Sequence, residues 1–544
     1  MNKVYKKTVA AAAIVVVGVF FAGCEQPEAP KPLAPEIELG TTIGSLAEVF
    51  AYNAVAVEGY GLVGGLNGTG SAQCPAAIKE YLEKYILTQV GDEHINVGKL
   101  ISSSNTAVIR IRGIMPASAS KREGFDVTVE ALGSSQTTSL EHGWLYGTDL
   151  KPAGTFGVSI QPVGKAKGPV FIDTLQSPAP DKRKGYVLAG GTVLKEYKIM
   201  MALRHPDYKT ANLIRNRLNA RYGYETANAL SDSQIELTVP VKYEGQRDRF
   251  IEMVKATYMQ DRPKVTEVRI MNFIRNLAVE GRKQESEIAL EMIGNQSVPK
   301  LSALLKSSNE EVRLRAARCM LNMGNDAGLD ALRQIAFDTT SPYRIEALHA
   351  IAVGAGYNDS TRILRRLLRD NSFEIRLAAY ERLSKLDDIS IAREMIAESF
   401  SVEQIAQSNK KVIFAARSGE PRIVLFGAPI YCQYDTFVES AEGDIILNAP
   451  LGQNFVSVVR KHPRRPEVII KLKSSFELSD IIRTLANEPV RKTDRQRIGL
   501  GASYGDVIEI LQKMCEKGVI PAEFKAGPLP KIGAYLKPKA LIDR

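Results

Sequence analysis

Polar and apolar residues alternate strictly in FDVTVEA, with Phe125, Val127, Val129 and Ala131 on one face and Asp126, Thr128 and Glu130 on the other. That period of two predicts a half-buried strand. QIELTVP repeats the pattern with Ile235, Leu237 and Val239. Between these runs the period changes. HPDYKTANLIRNRLNARYG carries Leu213, Ile214 and Leu218 as an apolar stripe, Asp207 or Thr210 as a cap and Gly223 as a stop, which predicts a helix. Residues 41–262 therefore read as an α+β segment.

The middle of the chain has a longer period. EVRLRAAR, PYRIEALH and EIRLAAYE put Val312, Tyr343 and Ile375 in register about 31 residues apart, each succeeded by an arginine: Arg313, Arg344 and Arg376. IGN at Ile293 and MGN at Met323 recur at a similar offset. The block resembles HEAT-type repeats, paired helices that stack into a solenoid, and three to four of them are expected between about 265 and 400. A plain helical bundle is the alternative. This gives an all-α segment at 263–407.

Strands return after Gln407. VIFAARSGEPRIVLFG has a turn at Ser418 and Gly419 between two β-rich runs, and VIIKLK alternates Val468, Ile470 and Leu472. Two amphipathic helices come next, one with Leu478, Ile481, Ile482 and Leu485, the other with Val507, Ile508, Leu511 and Cys515. Ser503 and Asp506 form a capping pair for the second, and Gly518 ends it. The segment spans 408–530 and leaves a basic tail at 531–544.

The densest glycine series is VAVEGYGLVGGLNGTG, with Gly59, Gly61, Gly64, Gly65, Gly68 and Gly70 in an apolar run. GYGLVG fits the GxGxxG pattern of dinucleotide-binding loops. The next residues, Gly65 to Gly70, favour turns and cannot open a stable helix, which argues against a nucleotide site. The series closely resembles the signature near the mature N-terminus of the flagellar P-ring proteins. The resemblance extends through NTAVIRIRGIMP and KREGFDVTVEALGSS, the helix at RHPDYKTANLIRNRLNARYG, the strand at SQIELTVP, and the closing run GASYGDVIEILQKMCEKGVIPAEF. It thus covers two flanks, about 41–262 and 408–526, with the repeat block between them. The family implies an α+β, mixed strand and helix ring-protein body with an inserted HEAT-like solenoid, and a structural glycine motif rather than a catalytic one. It further implies a non-enzymatic subunit without cofactor or metal that self-associates into a ring around the flagellar rod. Its partners would be copies of itself, the rod, the L-ring subunits and peptidoglycan. Flanks of one family around a foreign block imply an insertion with its own core and few contacts to the rest.

The N-terminus predicts export. Lys3, Lys6 and Lys7 precede an apolar run from Val9 to Ala22 that falls short of the roughly 20 residues of a membrane span, so residues 1–23 read as a signal peptide. Ala22 and Gly23 before Cys24 look like a bacterial lipobox, which implies cleavage before Cys24 and a lipid anchor there; Phe21 departs from the usual aliphatic residue. Pro27, Pro30, Pro32 and Pro35 make residues 24–40 an extended tether. Glu25 rather than Asp stands after the cysteine, so by resemblance to Gram-negative lipoproteins the destination is the periplasmic side of the outer membrane.

Composition fits a globular chain of about three domains, with 544 residues and a net charge of +10 that suits anionic neighbours. In an exported protein those are lipid, cell-wall polymer or an acidic partner rather than nucleic acid. Beyond Cys24, the four cysteines Cys74, Cys319, Cys432 and Cys515 are too scattered for a zinc site. They leave open one disulfide, Cys432 with Cys515, or buried thiols throughout. The histidines His94, His142, His205, His349 and His462 show no ligand spacing, and no GxSxG elbow is present. Two basic clusters, Lys209 with Arg215, Arg217 and Arg221, and Arg362 with Arg365, Arg366 and Arg369, are either solvated faces or contacts for an acidic polymer or a negatively charged rod surface. Trp144 and Tyr146 suit a core better than a sugar-stacking platform. A rival reading keeps the ring-protein fold but makes the chain an outer-membrane adaptor lipoprotein that binds a partner protein through its solenoid.

Overall fold

The computed structural model describes residues 39–50, 54–90, 96–117, 119–155, 157, 159–175, 180–196, 198–462, 465–488 and 499–532. Cys24, the signal peptide, and most of the tether and of the basic tail lie outside them. No helix among the described residues is long and apolar enough to cross a membrane.

The chain opens with α1 (Ile43–Leu46) and β1 (Ala47–Phe50), then builds a barrel from β2 (Val55–Gly64), β3 (Thr106–Met115), β4 (Gly124–Ala131), β5 (Trp144–Pro152), β6 (Gly164–Pro169) and β7 (Lys184–Val193). The six strands close in the order β2-β3-β4-β7-β6-β5. The alternation read in FDVTVEA is that of β4, whose Phe125, Val127, Val129 and Ala131 point into the barrel core with Ile109, Ile111, Leu145, Leu150 and Val187. Outside the barrel, α2 (Ala76–Val90) and α3 (Val97–Ile101) lay Tyr81, Leu82 and Ile101 over Leu62 and Val108.

A four-stranded sheet comes next, with β8 (Ile199–Leu203), β9 (Ala227–Ala229) and β10 (Gln234–Leu237) joining β1 in the order β1-β8-β10-β9. Helices α4 (Tyr208–Tyr222) and α5 (Arg247–Lys255) cover it with Ile214, Leu218, Phe250 and Val254. Asp207 caps α4 by accepting from the backbone of Lys209 and Thr210, and Gly223 ends it at φ 109°. Leu213, expected in the buried stripe, is half exposed, so the apolar face of α4 is narrower than the sequence suggested.

The solenoid pairs α6 (Pro263–Asn276) with α7 (Lys283–Ile293), α8 (Val298–Leu304) with α9 (Glu310–Asn322), α10 (Leu329–Phe337) with α11 (Arg344–Gly354), and α12 (Tyr357–Leu367) with α13 (Phe373–Lys385). Helices α7, α9, α11 and α13 stack side by side. The recurring arginine has a physical role. Arg313 donates to the carbonyls of Ser307 and Ser308, Arg344 to that of Ala336, and Arg376 to those of Asp370 and Asn371. Each guanidinium thus satisfies carbonyls left free where the preceding helix ends, and its charge suits that negative pole.

The helices stop at Lys385 rather than running towards 407. Residues expected in the last repeat form β11 (Ala392–Ile396) and β12 (Phe400–Ile405). They join β13 (Val412–Ala415), β14 (Arg422–Phe426) and, from the far end of the chain, β19 (Glu523–Ala526) in one sheet ordered β11-β12-β14-β13-β19. Phe400 and Val402 bury on one face of this sheet and Ile405 on the other, a two-sided burial that blurs the strand alternation in the sequence.

The two faces of that sheet decide how the parts join. Ile405, Val412, Phe414, Val424 and Phe426 pack directly on the solenoid, in one core with Tyr380 and Leu383. The Phe426 ring lies 5.7 Å from those of both Phe373 and Tyr380. At the other end of the solenoid, Ile288 and Met292 share a core with Phe250 and Val254 of α5. The repeats keep a core of their own around Phe273, Leu290, Leu301 and Met320, but the expectation of few contacts with the rest fails: they are apolar at both ends and continue into the flanks.

On the opposite face, Ile413, Ala415, Ile423 and Leu425 meet α14 (Leu478–Ala486) and α15 (Tyr504–Glu516). The same core includes residues of an antiparallel meander: β15 (Thr436–Glu439), β16 (Ile445–Ala449), β17 (Val456–His462) and β18 (Arg465–Ser474). Ser503 and Asp506 form the expected capping box at the start of α15. This C-terminal unit returns to the barrel, where Arg417 and Asp173 pair at 3.0 Å, Gly419 donates its N–H to Asp126, and Phe171 packs 5.8 Å from Tyr504.

Candidate functional site

Gly59, Gly61 and Gly64 all lie inside β2, so GYGLVG is the interior of a barrel strand and not a strand-to-helix loop. A pyrophosphate has no helix N-terminus to meet there. These glycines face β5 across a seam where the pairing register shifts between Glu58 and Val63. A Cβ at Gly59 would sit 2.5 Å from the Asp149 carbonyl oxygen, one at Gly64 would sit 2.6 Å from the Tyr146 ring, and one at Gly61 would run into Thr148. Missing side chains let β5 fold down onto β2 and close the barrel. Gly65 and Gly68 then turn the chain at φ 80° and 85°, and Gly70 passes against the Thr106 carbonyl.

Tyr146 covers Gly64 from outside, and with Trp144 it stands on the surface: 47% and 48% of these side chains remain exposed. The expected burial of both aromatics does not occur. They lie at the start of β5, before the stretch where Tyr85 of α2 bonds to Gly147 and Asp149, and Lys151 to Tyr81.

Trp144 edges a cleft of about 330 Å³ between the barrel and the C-terminal unit, walled by Val170, Phe171, Leu188 and Tyr504. Its polar side brings together residues that the sequence separates widely. Glu141, His142 and Asp506 place their ligand atoms within 4.8 Å of one another. Yet Lys182 pairs with Glu141 at 2.8 Å, Arg460 lies 3.4 Å from Asp506, and Asp506 also accepts from the Ser503 N–H. Two resident cations already neutralise the carboxylates and would repel a metal ion, so the cluster acts as an electrostatic clasp. Lys182 extends it by bonding to Glu442 as well, and the two carboxylates raise its ammonium pKa despite burial.

A second polar cluster crosses the stacked helices. Glu287 of α7 is buried and contacts Arg249 of α5 and Arg315 and Arg318 of α9. Burial pushes its carboxyl upward, but hydrogen bonding and charge from Arg318, with the charges of Arg249 and Arg315, more than offset this and hold it below the usual range. Glu291 also pairs with Arg249.

Most members of the two basic clusters have partners within the chain, several of them at the surface. Arg217 pairs with Asp261, Arg221 donates to the Glu291 carbonyl, Arg362 pairs with Asp359, Arg365 with buried Asp388, and Arg366 lies over the Phe337 ring. Cys432 and Cys515 are both free thiols, as are Cys74 and Cys319.

Residues 42–276, which hold the barrel and the four-stranded sheet, match the family model described as flagellar P-ring protein. Residues 283–352 match that of HEAT repeats. One part of the chain is thus similar to flagellar P-ring proteins and another to HEAT repeats. A flagellar P-ring protein of Nitrosomonas europaea is 30% identical over 233 residues, which is 39% of this chain and 59% of that protein. Those of Rhodopseudomonas palustris and Bradyrhizobium diazoefficiens are each 28% identical over 209 residues, 36% of this chain and 53% of theirs. The chain thus spans a little over half the length of the curated relatives it matches. The part matched to the P-ring family includes the whole glycine seam and ends with the last residue of α6, while the P-ring resemblance read in 408–526 lies outside the matched residues.

Proposed function

We propose that this chain is a structural, non-catalytic subunit of a flagellar P ring that self-associates around the rod in the periplasm. The observation that carries the reading is the coincidence of the family match with two complete units, the closed barrel and the four-stranded sheet with its helices. The glycine seam serves it by closing the barrel without bulk, which leaves a stiff body with β5 and its aromatics on the outside. A lipid on Cys24 would tether this body to the outer membrane, and the rod, the L-ring subunits and peptidoglycan are its expected neighbours. Imaging of isolated basal bodies with the protein labelled tests the proposal. Label in a ring on the rod supports it, and label dispersed over the envelope overturns it.

The adaptor reading keeps one specific support, the HEAT match at 283–352. Solenoids of this type recognise proteins along an extended face. Retention of the protein at the outer membrane in a strain without a rod, bound to a partner through the repeats, would favour it.

A further inference from the structure

Three arginines from two helices converge on one cavity beside the start of the solenoid. Arg217 and Arg221 come from α4, Arg269 from α6, and the cavity of about 260 Å³ is completed by Asp261, Thr257, Thr266, Tyr258 and Gln296. Arg269 is the unusual member, since it is only 3% exposed. Its guanidinium lies over the Tyr258 ring at 3.6 Å, its Nε donates to the Leu39 carbonyl and its Nη1 to that of Gln260. No hydrogen bond from its Nη2 is formed among the described residues. Burial lowers its pKa, Tyr258 and the Asp261 carboxylate offset this only in part, and the neighbouring Arg217 lowers it further. A buried guanidinium beside a second cation is costly unless an anion is present.

The protein's own answer is incomplete. Asp261 pairs with Arg217 at the mouth of the cavity, and both side chains are well exposed, at 57% and 37%, so the pair is weak and displaceable. Arg221 spends one donor on the Glu291 carbonyl in the last turn of α7, whose negative pole offsets only part of its charge. Among the described residues that line the cavity, three guanidinium groups face one carboxylate.

We propose that this cavity binds a phosphate group in its dianionic form, with Arg269 at the floor and Arg217 and Arg221 at the sides. The charge matches, and guanidinium forks suit phosphate oxygens. The volume lies below the roughly 300 Å³ at which pockets begin to hold a whole organic ligand, so the site takes a head group rather than a cofactor. The site spans α4 and α6 of the P-ring part and Gln296 at the start of the repeats, so an occupied site would fasten the two. It does not depend on ring formation.

Calorimetric titration of the full chain with inorganic phosphate, at ionic strength held constant with chloride, tests this. Co-sedimentation with phosphatidic acid vesicles against phosphatidylcholine vesicles then separates a free anion from a lipid head group. Saturable phosphate heat is expected, reduced about ten-fold in affinity by Arg217→Ala. Asp261→Asn is expected to tighten binding, because it removes the competing carboxylate. Both positions are exposed enough for the variants to fold, which circular dichroism checks. Vesicle capture sensitive to Arg217→Ala assigns a head group; phosphate heat without capture assigns a free anion. Absence of both signals, or affinities unchanged in both variants, overturns the proposal.

Discussion

Arg249 of α5 and Glu287 of α7 lie 3.0 Å apart where the helices over the four-stranded sheet meet the first helix pair of the solenoid, with Glu287 only 1% exposed. The pair marks a joint rather than a linker. A charge buried this fully can be tolerated only with partners on every side, and Arg315 and Arg318 supply the others.

Replacing Glu287 with alanine should therefore destabilise the protein by about 3–5 kcal/mol, since three guanidinium groups lose their shared carboxylate. Because the folded-state pKa of Glu287 is held below its ordinary value, its contribution is present above the unfolded value of about 4.3 and is lost as pH falls through the folded value. Urea denaturation of wild type and variant at pH 7 and in the acid range measures this. A stability gap as wide in strong acid as at pH 7 would remove the electrostatic account.

Gly61→Val should open the barrel seam, because the new side chain collides with Thr148 on β5. Overpacking of this kind costs about 1–3 kcal/mol, and more where backbone stands close. Gly68→Ala should act differently. Nothing lies near that position, so only the strain of φ 85° remains, about 1–2 kcal/mol. Thermal melts compare the two, and calorimetry with NAD or ATP should show no binding in either; a nucleotide signal would return GYGLVG to the dinucleotide class.

Excision of residues 264–406 with a short Gly/Ser replacement should give an aggregating chain. It would uncover Phe414 and Phe426 and remove β11 and β12 from their sheet. Circular dichroism and export assays provide the check. A folded, self-associating deletion variant would mean that the shared cores are dispensable.

Alkylation of the denatured chain without reductant should label Cys74, Cys319, Cys432 and Cys515 alike. In the native protein Cys515 should react slowly, because burial and the neighbouring Glu516 push its thiol up to about 12. Intact-mass spectrometry reads both results. A pair that alkylates only after reduction would restore the Cys432–Cys515 disulfide.

Local elements were legible wherever one face is wet. The alternation at Phe125 to Ala131, the cap at Asp207, the Ser503 and Asp506 box and the register of Arg313, Arg344 and Arg376 all survive in the structure. Segments buried on both faces were not. Residues 400–405 are buried on both faces of their sheet, so their apolar positions keep no single period. The joints were invisible for another reason. Glu141 and Asp506, or Asp173 and Arg417, meet only after the chain has passed through the repeats, and nothing local announces a pairing across that distance.

Traced in order, the chain runs from barrel to small sheet, through the solenoid to the C-terminal unit, and then back onto the barrel. Arg247 ties the second unit to the first through Ser120, Glu287 ties the third to the second, Phe426 seats the third on the fourth, and Asp173 holds Arg417 of the fourth against the first. Four bodies joined in an open string could swing at three hinges; joined in a circuit they form a braced frame. A sideways load on any one body must then be shared by all four joints, so the repeats serve as a strut that keeps the barrel from tilting.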